Sequence, residues 1–175
     1  MKRPALIVGA SALALLFGGS SLRAAEKKEE KSEERTLKQA QVPRPVIDAV
    51  TKKYPNAKLR KFGQENEEGK EIYEVELVSA AKEEVSIDVS PEGKILAEET
   101  TIKAAALPAS VKAALQSSKY KSWKIAKAER VIHDGKEDAP EYEVVVTQKK
   151  EKFEVVVDKD GKITKEEAKS PKDVD

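Results

Sequence analysis

The chain has 175 residues, with 33 lysines and arginines against 32 aspartates and glutamates, and no cysteine. Disulfides and thiolate metal sites are therefore excluded. A net charge of +1 on a chain that is 37% charged offers no basic stripe for nucleic acid and no basic patch for an acidic membrane.

Residues 1–25 read as a secretory signal. Lys2 and Arg3 give a positive start, Ala5 to Gly18 is an uncharged apolar run, and Ser20 to Ala25 supplies small residues for cleavage. The apolar run falls short of the roughly 20 residues a spanning helix needs. Its removal takes away three basic residues, Lys2, Arg3 and Arg23, and leaves a mature charge of about −2. The expectation is an exported protein, periplasmic or secreted, with no membrane anchor after cleavage. Residues 26–41 follow as a charged linker, because Glu26 to Arg35 contains no apolar side chain to bury.

Two stretches then repeat one pattern. Val42-Pro43 opens a helix whose buried stripe is Val46, Ile47 and Val50; Leu107-Pro108 opens another on Val111, Ala114 and Leu115. Proline suits a first helical turn, where its missing N–H has no partner to lose. The first helix stops near Lys53, since Pro55 holds Tyr54 extended, and the second near Ser117-Ser118. A less regular strand follows each helix, around Ala57 to Glu65 and Ser122 to His133.

Strands of period two come next. Tyr73, Val75 and Leu77 alternate with Glu74 and Glu76, and Val85, Ile87 and Val89 with Ser86 and Asp88. Tyr142, Val144 and Val146, then Phe153, Val155 and Val157, repeat the pattern. Such alternation marks an antiparallel sheet covered on one face. Gly93 and Gly161 sit in matching turns, Ser90 to Ile95 and Asp158 to Ile163, where a positive φ is needed.

The predicted fold class is α+β: two tandem repeats, residues 42–100 and 101–167, each one helix packed on an antiparallel β-meander of about four strands. A polar tail, 168–175, follows. A unit of this size buries only about 60% of its unfolded surface and is marginal alone. The two copies are expected to pack together or to continue one sheet.

These residues carry a resemblance. Tyr73-x-Val75-x-Leu77, Val85-x-Ile87-Asp88 and Gly93-Lys94-Ile95-Leu96, after a Val42-Pro43 helix closed by Tyr54-Pro55, resemble the PepSY-like domains, which are similar to the β-lactamase-inhibitor protein. The second copy matches from Leu107-Pro108 through Tyr142-x-Val144-x-Val146 to Phe153-x-Val155-x-Val157-Asp158 and Gly161-Lys162-Ile163. It departs at Ser118-Lys119-Tyr120, where no proline closes the helix, and in the longer loop from His133 to Pro140. The resemblance implies a helix-plus-meander fold and a role in binding, such as restraint of a secreted peptidase or another envelope enzyme. It brings no catalytic residues.

The chain's own chemistry points the same way. His133 is the single histidine, and no spacing ties it to Ser110 and Asp134 as base, nucleophile and orienting acid. His133-Asp134-Gly135-Lys136 reads as a solvated turn. Asp158, Asp160, Gly161, Ile163 and Glu167 fall at positions of a calcium loop, but Val156 takes the first ligand position and a strand precedes it instead of a helix. No catalytic, cofactor or metal site is expected, and the chain reads as a non-enzyme.

The candidate partner-binding residues are Trp123, the only tryptophan, together with Val145, Val156, Glu74 and Glu76. Tryptophan is enriched in binding hot spots. Val145 and Val156 are apolar on a strand face that alternation reserves for polar groups, at a seam between copies or a partner site. The leading expectation is a binding module that inhibits or regulates an envelope peptidase or hydrolase. The alternative is a structural envelope protein without a specific high-affinity partner.

Overall fold

The computed structural model describes residues 35–67 and 69–169. The expected signal, most of the charged linker and the end of the polar tail lie outside these residues. The strands are β1 (Arg35–Leu37), β2 (Lys58–Glu67), β3 (Lys70–Val78), β4 (Glu84–Val89), β5 (Ile95–Thr101), β6 (Lys124–His133), β7 (Glu141–Gln148), β8 (Glu151–Asp158) and β9 (Ile163–Ala168). Helix α1 (Arg44–Lys53) precedes β2, and α2 (Ala109–Ser117) precedes β6.

All nine strands form one antiparallel meander in which neighbours in sequence are neighbours in space. The two repeats are therefore joined as one sheet. Strand β5 closes the first repeat and pairs directly with β6 of the second, from Ala97 opposite His133 to Thr101 opposite Glu129. Joining this way satisfies the backbone of β5 on both edges.

Both helices lie on the same face of this sheet, because side chains opposite one another across each ladder share a face. Val46 and Val50 of α1 pack over Tyr73, Val75, Leu77, Val85, Ile87 and Val89. Val111 and Leu115 of α2 pack over Tyr142, Val144, Val146, Val155 and Val157. The helices end as their sequences demand. The Tyr54 N–H still donates to the Val50 carbonyl at 2.8 Å, and Pro55 stops the next turn. In α2 the backbone of Ser118 turns extended instead.

The duplication extends to irregularities. Strands β2 and β6 carry a bulge at equivalent places, between Leu59 and Lys61 and between Ile125 and Lys127. Strands β5 and β9 carry another, at Leu96 opposite Asp88 and Val89 and at Thr164 opposite Val156 and Val157. The short strand β1 and a 3-10 turn (Gln39–Gln41) fall within the stretch read from sequence as linker. Leu37, buried against Phe62, is the apolar residue that anchors them. Their counterparts in the second repeat are Ile102, whose N–H bonds the Ala128 carbonyl, and the turn Ala104–Ala106.

Candidate functional site

The face opposite the helices carries four of the five candidate residues. Glu74 and Glu76 stand on β3, Val145 on β7 and Val156 on β8, all in the register that points away from the helices. Val145 and Val156 are diagonal neighbours, since Val145 lies opposite Glu154 and Val156 opposite Glu143. Val156 is buried and Val145 half-buried. The glutamates of β3 lie several strands away on the same continuous surface. The seam between repeats is the β5–β6 ladder, so these two valines belong to the outer face of repeat two and not to the seam.

The centre of this outer face holds residues the sequence did not single out. Ala97, Glu99 and Val131 meet at the β5–β6 ladder and are buried, although no helix of the described residues lies on that side. The carboxylates of Glu99, Glu129 and Glu143 come within 4.8 Å of one another, a group of hard oxygen donors. Lys127 supplies a cation there, its ammonium 2.9 Å from Glu129. Such a group is illegible in one dimension, because its members come from three strands.

Ion pairs order the rest of the face. Lys61 holds Glu76 at 3.2 Å, and the Ser86 hydroxyl donates to Glu74 at 2.6 Å. Lys165 lies 2.9 Å and Lys169 3.6 Å from Glu167, while Lys169 also reaches Glu154 at 3.1 Å. Burial pushes the Glu167 carboxyl up, but the two lysines outweigh it and hold its pKa below the ordinary range.

Trp123 stands apart. It packs on the helix side, edge-on to Tyr120 at 5.3 Å and to Phe153 at 5.6 Å between ring centroids. It is half-buried at the margin of the second core. The structure thus separates Trp123 from the other four candidates by the thickness of the sheet.

The residues weighed for catalysis are dispersed. The His133 imidazole sits 3.3 Å from Glu141 on the outer face. Ser110, on α2, donates its hydroxyl to the Lys159 carbonyl at 2.7 Å, and Asp134 pairs with Lys94 at 2.8 Å. In the turn weighed as a calcium loop, the Asp158 carboxylate accepts the N–H groups of Asp160 and Lys162 at 3.0 and 2.9 Å. It caps the turn as an Asx residue does.

Comparison with known proteins places this geometry. A BLIP-like protein from Bacteroides fragilis superposes with a TM-score of 0.57 at 22% identity, over 71% of this chain and 84% of that one. A protein described as a putative periplasmic protein from Bacteroides eggerthii superposes with a TM-score of 0.61 at 16% identity, over 73% and 88%. At these identities the likeness is one of fold. No helix among the described residues is long and apolar enough to cross a membrane. No curated protein sequence matches the chain. The family described as "Putative beta-lactamase-inhibitor-like, PepSY-like" matches twice, over residues 23–97 and 95–165. The chain belongs to that family, as a tandem of two such units.

Proposed function

We propose that this chain is a non-catalytic, exported binding module that docks a protein partner on the outer face of its sheet and restrains an envelope or secreted peptidase or other hydrolase. The observation that carries this reading is the half-buried Val145 beside Val156, an apolar step on a charged face that no helix of the described residues covers. Interfaces concentrate their energy in such apolar centres with polar rims. The family and the BLIP-like fold support the same direction. Non-catalytic action is supported by the dispersal of His133, Ser110 and Asp134, each engaged with a different partner. The fold of structural relatives described as periplasmic, together with the signal-like start of the chain, supports export.

The test is capture from the envelope and secreted proteins of the source cell on an immobilised chain lacking residues 1–24. A single stoichiometric enzyme, lost with Val145→Arg and inhibited by the wild-type chain, is the expected result. An empty column, at concentrations that retain micromolar binders, would overturn the reading in favour of a structural role.

A further inference from the structure

The two repeats carry the same corner, and in one of them it is left open. At the end of α1, Lys53 reaches Glu98 of β5 at 2.9 Å, with Tyr54 beside it. Just past the end of α2, Lys119 pairs with Glu166 of β9 and lies over the Tyr120 ring, 5.0 Å from its centroid. Glu98 and Glu166 are equivalent, each following a turn glycine, Gly93 or Gly161, and an isoleucine, Ile95 or Ile163, at the same spacing. Strands β5 and β9 are thus the same strand of the repeat.

Their outer edges differ. Hydrogen bonding in an antiparallel strand alternates, so every second residue turns its N–H and C=O to the same neighbour. On β5 that alternate set pairs with β6. The Asp134 N–H donates to the Leu96 carbonyl at 2.8 Å and the Ile102 N–H to the Ala128 carbonyl at 2.9 Å. Between them Glu98 lies opposite Ile132 and Thr100 opposite Arg130. On β9 the Lys169 N–H donates to the Lys152 carbonyl of β8 at 2.9 Å. This phase turns Glu167 and Lys165 towards β8, and turns the backbone of Glu166 and Ala168 towards the far edge. Among the described strands β9 is the last.

We propose that the far edge of β9 accepts an extended segment of a protein partner by strand addition, in the register β6 takes on β5. The argument is continuity with an interface the fold already contains, the β5–β6 seam. Side chains set the kind of segment. Lys165 and Glu167, each partly exposed, put charge beside this edge against a plain apolar strand, while the Lys169 ammonium is buried on Glu154 of β8. A strand of β6 pattern fits this edge. Its counterpart of Glu129, which faces Thr101 in the seam, falls opposite Lys169. Its counterpart of Arg130 falls opposite Ala168, next to Glu166. The partner segment therefore carries a carboxylate and a cation at adjacent positions, within an alternating apolar strand. Main-chain bonds supply affinity and these charges supply register.

The probe is the synthetic peptide of residues 124–133, titrated into the isotope-labelled chain and followed by amide chemical shifts and hydrogen exchange. The expected result is saturable binding below millimolar peptide, with shifts and slowed exchange confined to β9 and the Lys119–Glu166 corner. A peptide carrying Ile132→Pro, which removes one edge-pairing N–H, binds about tenfold more weakly. Ala168→Pro in the protein weakens the wild-type peptide similarly. Absence of saturable shifts, shifts spread over the sheet, or equal binding of the proline peptide overturns the proposal. Val145 and Val156 report the outer face separately, so failure at β9 leaves the docking reading standing, and failure of that reading leaves β9 to be judged alone.

Discussion

Glu98 and Glu166 stand at the same place in the two repeats, and Glu98 alone is buried, its side chain 7% exposed against 34%. Strand β5 has a strand on each side, β4 and β6, whereas β9 has only β8 among the described residues. The worth of the same ion pair should differ accordingly. Removing the cation from a buried carboxylate leaves an uncompensated charge, whereas an exposed pair is screened by water. Lys53→Met is expected to lower stability by about 2 kcal/mol, less than the full cost of a dry pair because Lys53 is itself partly exposed. Lys119→Met should leave the unfolding midpoint unmoved. Urea denaturation of the two variants compares them directly, and equal effects would contradict this account.

The turn glycines fix each helix to its sheet. A Cβ on Gly93 would lie 2.6 Å from the Pro45 carbonyl oxygen, and one on Gly161 2.8 Å from that of Ser110. Both glycines have positive φ, +88° and +89°, so strain adds to the clash. Gly93→Ala or Gly161→Ala should each cost roughly 2 kcal/mol or more. Gly135, also at positive φ but with open space around it, should cost less when changed to alanine. Thermal unfolding of the three variants provides the ranking.

Acid should loosen the second repeat through Glu167. Its folded pKa is lowered, so its ion pairs with Lys165 and Lys169 stabilise the fold fully above the ordinary value of 4.5. That contribution is lost as pH falls from there through the lower folded value. Asp134, lowered by the Lys94 ammonium from 3.8, acts with the same sign at still lower pH. Stability measured between pH 6 and about 3 should therefore decline. The decline should be shallower in Glu167→Gln, and an identical slope would remove Glu167 from the explanation.

Trp123 gives an internal probe of the second core. Its ring rests edge-on against Phe153 and Tyr120, half shielded from water. Phe153→Ala should red-shift the emission of the folded protein and cost about 3 kcal/mol. Because Trp123 lies on the helix side, Val145→Arg on the outer face should leave that emission unchanged. A shift in the latter would show that the two sites are coupled through the sheet.

The sequence by itself determined the repeat, its two helices and the apolar face of its main strands. Val46 and Val50, then Val111 and Leu115, reveal the helical stripes, because a 3.6-residue period needs no distant partner to be read. Tyr73, Val75 and Leu77 reveal their inward face for the same reason, and Gly93 and Gly161 their turns. Only the tertiary structure decided that β5 pairs with β6, which made one sheet of two repeats. It also decided that Glu98 is covered while Glu166 is not, and that Trp123 and Val145 lie on opposite sides. The period of a strand states which of its faces is apolar, but pairing joins residues far apart in the chain. β5 and β9 share their turn and their glutamate, and differ in what chain geometry leaves to follow them: helix α2 and β6 after the first, no described strand after the second.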